Sequence, residues 1–155
     1  HLRLHDTAAS DCTATALGHS VSALSMITKA IIIVNNTKLT DVGGQALAAG
    51  LDRPLLRDLR LELRRTGVTD QTGLALAKSI DICSSKLERL LAAFGETQVA
   101  DESGIALGIS MGACSRLVKV ELEFDGTKMS DAGGQGLSAG LSRPELEDLG
   151  FGLNG

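Results

Sequence analysis

Three histidines, three cysteines and the acidic run Glu121, Glu123 and Asp125 are the residues of this 155-residue chain whose types could do chemistry. A histidine close to thiols or carboxylates could ligate zinc or activate a nucleophile. His1 and His5 share one face of an extended segment but stand about 13 Å apart, beyond the reach of one metal ion, and His19 falls in a helical stretch. None has an obvious carboxylate or thiol partner at catalytic spacing. Neither a nucleophile elbow nor a phosphate-binding glycine loop is present. Neighbours along the Glu121, Glu123, Asp125 face are about 6.6 Å apart, too wide for one carboxylate cage, so this rib reads as a solvated face before it reads as a site for a basic partner or a divalent ion. The chain is therefore expected to be no enzyme and to use no cofactor or metal. Its net charge is −4 with acidic and basic residues interspersed, which disfavours nucleic acid as a partner.

The order in the chain lies elsewhere. Asp11, Asp41, Asp70, Asp101 and Asp131 recur at intervals of 30, 29, 31 and 30 residues. Four residues before each stands Thr7, Thr37, Thr66, Thr97 or Thr127, and six after each stands Leu17, Leu47, Leu76, Leu107 or Leu137. A period of this size marks a solenoid, in which each unit buries its apolar face against its neighbours. Upstream of each aspartate, apolar residues alternate, as in Leu59, Leu61, Leu63 and Val120, Leu122, Phe124, which predicts a strand with one buried face. Downstream, apolar or small residues at offsets of about three, six and ten make one helical stripe. The Ser/Thr-Asp pairs fall where each helix begins, so a hydroxyl or carboxylate there can accept from the orphan N–H groups. Each unit thus reads as strand, turn, helix and return loop, with all strands parallel. A sixth unit opens with Leu149, Phe151 and Leu153.

The segment Leu56 to Leu63, followed by Thr66-Gly67-Val68-Thr69-Asp70, Gly73 and Leu76, resembles a leucine-rich repeat of the ribonuclease-inhibitor-like subtype, and the match spans essentially the whole chain. The resemblance implies an α/β horseshoe of about five repeats, with a parallel sheet on the concave face, helices on the convex face and a protein as the usual ligand. Residues 1–155 then form a single repeat domain. Where that family carries asparagine in the turn this chain carries threonine, whose hydroxyl can donate one hydrogen bond to buried backbone, so a threonine ladder is expected in its place. Composition fits stacked identical slots: 43% hydrophobic residues but only 2% aromatic, with eighteen glycines that allow close helix-to-sheet approach. The Gly43-Gly44 and Gly133-Gly134 pairs suggest a phosphate cradle, but their recurrence in the repeat argues for packing. Cys83 and Cys114 occupy the same repeat phase, where adjacent units stack at roughly 5 Å and a disulfide could form. Without secretory features, reduced thiols and an intracellular or organellar setting are the expectation. No apolar run approaches the roughly 20 residues of a membrane span.

The residues six, eight and ten before each aspartate point away from the core and form the expected interaction surface. Rib by rib they are His1, Arg3, His5; Ile31, Ile33, Asn35; Arg60, Glu62, Arg64; Leu91, Ala93, Gly95; Glu121, Glu123, Asp125; and Gly150, Gly152, Asn154. Ile31, Ile33 and Leu91 shown to solvent would mark a site for a protein partner, unless Leu91 turns inward through a register shift. The expected function is a non-catalytic protein-protein interaction scaffold. The alternatives are a structural accessory subunit of a large multiprotein complex, or a regulatory module of an enzyme system, since some related repeat proteins are GTPase activators. The chain opens and closes inside strand motifs, so it is expected to be a piece of a longer array whose edges further chain or a partner covers.

Overall fold

A computed structural model describes residues 2–152; His1, Leu153 and Asn154, named above on the interaction surface or in the sixth unit, lie outside the described residues, as does Gly155. Strands and helices alternate: β1 (Leu2–Arg3), α1 (Asp11–Ser22), β2 (Lys29–Ile33), α2 (Asp41–Gly50), β3 (Asp58–Glu62), α3 (Asp70–Cys83), β4 (Arg89–Ala93), α4 (Asp101–Gly112), β5 (Lys119–Glu123), α5 (Asp131–Leu141) and β6 (Asp148–Gly152). The six strands form one all-parallel sheet in the order β1-β2-β3-β4-β5-β6. Strands β2 to β5 each begin at the same repeat phase, and each helix begins on its aspartate. Among the described residues no helix is long and apolar enough to cross a membrane.

Alternation in the strands decides what is buried. Ala30, Ile32 and Val34, Leu59, Leu61 and Leu63, Leu90, Ala92 and Phe94, and Val120, Leu122 and Phe124 join Leu47, Leu76, Leu107 and Leu137 from the helices in one core. Fully burying a large aliphatic side chain of this kind contributes about 1.5–3 kcal/mol. Identical slots stack on one another: the rings of Phe94 and Phe124, one repeat apart, lie 5.5 Å apart and nearly parallel.

Strands β1 to β5 end in the same turn. The residue five before the aspartate is left-handed in every repeat, Asp6, Asn36, Arg65 and Glu96 with φ of 53 to 56° and Gly126 with φ of 66°. Such a conformation is costly for any residue but glycine, so something must hold it. The threonine ladder does: Thr37, Thr66, Thr97 and Thr127 donate to the carbonyls of Val34, Leu63, Phe94 and Phe124 at 2.9, 2.6, 2.6 and 2.8 Å. Each bond lies within one repeat, and Thr66 and Thr97 are buried.

The hydroxyls of Thr40, Thr69 and Ser130 accept from Val42, Gln71 and Ala132 N–H at the start of their own helices, as the sequence suggested, whereas the aspartates work between repeats. Asp11 accepts from the backbone N–H of Thr40 (2.8 Å) and Gly43 (3.0 Å) and from the Thr40 hydroxyl (2.6 Å), so it caps α2 rather than α1. Asp41 takes Thr69 and Thr72, Asp70 takes Ala100 and Ser103, and Asp101 takes Ser130 and Gly133 in the same way. Helix α4 shows the need: Ala100 has no polar side chain to cap with, and Oδ1 of Asp70 accepts from both Ala100 N at 2.8 Å and Ser103 N at 3.1 Å.

Glycines bring helix against helix, not only helix against sheet. A β-carbon on Gly108 would overlap the carbonyl of Gly136, and one on Gly140 that of Gly108, so α4 and α5 pack backbone to backbone. Gly43, Gly44 and Gly133 are packing positions too, since added β-carbons would meet Asp11, Thr72 and Asp101 respectively.

Candidate functional site

The sheet's other face carries no helix, and the parallel register arranges its side chains in columns that cross the strands. One column is Ile31, Arg60, Leu91, Glu121 and Gly150. The next is Arg3, Ile33, Glu62, Ala93, Glu123 and Gly152. Beyond the strand ends the ladder continues through Asp6 N to Asn35 O, Asn36 N to Arg64 O, Arg65 N to Gly95 O and Glu96 N to Asp125 O, so His5, Asn35, Arg64, Gly95 and Asp125 form a third. Ile31, Ile33, Arg60, Glu62, Arg64, Leu91, Glu121, Glu123 and Asp125 are therefore brought to one surface. Leu91 keeps register and lies on this face while Leu90 enters the core.

Exposure departs from expectation in the middle column. Ile33 is only 7% exposed, Glu62 3% and Ala93 1%, so Ile33 does not present itself to solvent. Its rib neighbours explain this: Arg3 and Glu62 flank it, and Glu62 anchors a polar lattice over the centre of the face. Arg60 Nε donates to Glu62 Oε1 at 2.6 Å, Arg64 Nη1 to Oε2 at 2.8 Å and Asn35 Nδ2 to Oε2 at 2.7 Å. Burial pushes the Glu62 carboxyl up, but the bonds from Asn35 and Arg60 and the two guanidinium charges outweigh it and hold the group below the ordinary glutamate value.

Arg64 also reaches Glu123, two ribs away, donating from Nε and Nη2 in a two-pronged pair. Rib β4 lets it pass because its residues there are Ala93 and Gly95; a β-carbon on Gly95 would come within 2.8 Å of Glu123 Oε1. The acidic rib is therefore not a free solvated face. Glu123 is held by Arg64, and Glu121 lies 3.1 Å from Lys119 Nζ.

A charged row borders the first column, formed by residues the sequence reading had not singled out. Lys29 and Arg89 share Asp58 at 2.8 and 3.3 Å, and Lys119 is shared by Asp148 and Glu121. Their common phase, twelve before each aspartate, was the available signal. In the first column Ile31 and Leu91 are both half-buried, with Arg60 and Glu121 between and beyond them, their side chains 42% and 43% exposed; elsewhere on the face Arg3 and His5 are exposed and Asn35, Arg64, Glu123 and Asp125 are half-buried. Ile31, Arg60, Leu91 and Glu121 line one shallow hollow together with Lys29, Arg89 and Lys119.

The residues first weighed for chemistry stay apart. His5 Nδ1 lies 3.0 Å from Asp6 Oδ2 on the surface, a partner the spacing had not suggested. Among the described residues no group of three or more His, Cys, Asp or Glu could hold a metal ion. Cys83 and Cys114 are free and buried, and burial pushes their thiols up to about 12 and about 11; Cys12 is exposed. In comparisons with known proteins, the chain matches no protein-family model and no curated protein.

Proposed function

We propose that the chain is a leucine-rich-repeat solenoid of the ribonuclease-inhibitor-like subtype, curved as a horseshoe, and that it serves as a non-catalytic scaffold that binds a protein on the concave, helix-free face of its sheet. The observation that carries this reading is the column Ile31, Arg60, Leu91, Glu121, which offers aliphatic and charged groups alternately on a rigid sheet. A preformed surface loses little conformational freedom on binding, and aliphatic anchors among charges suit a protein ligand. A second reading, a structural subunit packed on both flanks within a large assembly, is favoured by Val42 and Ile109 on the helix layer, 67% and 71% exposed.

The test is cross-linking mass spectrometry in the native source with the wild-type chain and an I31D/L91D variant. Ile33 is left alone because it is buried. The variant should keep the wild-type melting temperature and lose cross-links that map to β2–β5. Retention of those cross-links at wild-type yield would refute the assignment of this face.

A further inference from the structure

We infer, building on the interaction reading above, that the partner presents an α-helix laid across the strands, with an aliphatic residue over β2, a carboxylate over β3, a second aliphatic residue over β4 and a cation over β5. The lattice around Glu62 closes the centre of the middle column, where Ile33, Glu62 and Ala93 are buried, whereas Ile31, Arg60, Leu91 and Glu121 are all partly exposed and make the column that joins aliphatic to charged groups. They sit on four consecutive ribs in register. Neighbouring strands are about 4.8 Å apart, so these side chains rise at about 0, 4.8, 9.6 and 14.4 Å across the sheet. Helix residues i, i+3, i+7 and i+10 share one side at about 0, 4.5, 10.5 and 15 Å, within about 1 Å of each rib. An extended segment repeats on one side only every 6.6–6.8 Å or so and is out of step by β4.

The charges allow the exchange. Glu62 keeps Arg64 and Asn35 if Arg60 turns toward a partner carboxylate, and Lys119 keeps Asp148 if Glu121 turns toward a partner cation. Neither move leaves a buried charge alone, which is the usual penalty for recruiting a paired residue. On the N-terminal side of the hollow Lys29 and Arg89 share the single carboxylate of Asp58, while on the far side Glu121 and Asp148 share the single ammonium of Lys119. The face is thus positive over β2–β4 and negative over β5–β6, matching the carboxylate-then-cation order.

The probe is a hydrocarbon-stapled helical peptide of fourteen residues with leucine at its second and ninth positions, glutamate at the fifth and lysine at the twelfth, the remainder alanine and glutamine. Binding is read by fluorescence anisotropy against the wild-type chain, R60M and E121K. The matched peptide should bind saturably, and exchanging its glutamate and lysine should weaken it about tenfold, each half-exposed pair being worth up to about 1 kcal/mol or fivefold. E121K should prefer glutamate at the twelfth position, and R60M should lose the preference for glutamate over glutamine at the fifth. The exchange arm uses the wild-type chain and does not depend on any variant folding. Absence of binding, or a preference that E121K does not move, would overturn the helix assignment. If the cross-links lost in I31D/L91D are nevertheless real, the interaction face stands and only its occupant is wrong.

Discussion

Replacing Asp41 by alanine should destabilise the fold far more than the same change at Asp131, although both occupy one phase of the repeat. Asp41 accepts four hydrogen bonds from the next repeat: Thr69 N at 2.9 Å, Thr69 Oγ1 at 2.6 Å, Thr72 N at 3.2 Å and Thr72 Oγ1 at 2.6 Å. Its loss removes a helix cap, about 1–2 kcal/mol, and strands a fully buried Thr72 hydroxyl, about 1–3 kcal/mol more, so a total near 3 kcal/mol is expected. With a urea slope of about 2 kcal/mol/M, the denaturation midpoint should fall by about 1.5 M. Asp131 receives no such bonds from a following helix among the described residues and acts only through the first turn of α5, about 0.5 kcal/mol and about 0.25 M. The measurement is urea unfolding by circular dichroism for both variants beside the wild type. Equal midpoint shifts, or a shift below about 0.5 M for D41A, would refute the claim that these carboxylates act on the neighbouring helix.

Acid should unfold the protein through the same groups: hydrogen bonds lower the carboxyls of Asp41 and Asp11 despite the opposing effect of burial, and those from Ser130 lower Asp101. Depressed folded values mean that their stabilisation is complete above about pH 4 and is lost as pH falls through the folded values, so urea midpoints should drop below about pH 4, less steeply in D41A. A thiol-reactive dye should modify Cys12 alone in the native state and all three cysteines in denaturant, because Cys83 and Cys114 stay protonated and buried; native labelling of either buried thiol would contradict the packing. Gly108→Ala should cost about 2–3 kcal/mol by forcing α4 from α5, whereas Gly112→Ala, whose β-carbon would find its nearest neighbour at 3.6 Å, should be neutral or gain about 0.5 kcal/mol, both read from thermal unfolding.

Much of this architecture was legible because the period repeats two independent signals. Alternation picks out the strand residues, and all five helices start on the aspartates the spacing marks. The three columns of the open face also follow from the offsets, since equal repeats pair equal phases. What a period cannot show is the direction in which a polar side chain reaches along the stack. Thr66 turns back to the carbonyl of Leu63 in its own repeat, while Asp41 reaches forward to Thr69 and Thr72. A hint stood in the residue two after the aspartate, hydroxyl in Thr72 and Ser103 and glycine in Gly43 and Gly133, which are the positions meeting the preceding carboxylate. Accessibility was the other loss. Ile33 lies in the column the offsets assign it, but its exposure depends on the length of its neighbours' side chains, which hydropathy alone does not weigh.

The placement of two small residues links these findings. In a simple stack each repeat touches only its neighbours. Ala93 and Gly95 open a gap in β4 through which Arg64 crosses to Glu123, joining ribs that are not adjacent. That crossing ties Glu62, Arg64 and Glu123 into one lattice and helps to close the centre of the face. In the proposed interface, contact is displaced to the column beside it, where Leu91 stands between Arg60 and Glu121. A bulky residue at Gly95 would therefore do two things at once: cut the strut between β3 and β5, and free Arg64 to compete with Arg60 for any carboxylate that a partner offers. On this reasoning the smallest residues of the face govern which of its charged residues remain available for recognition.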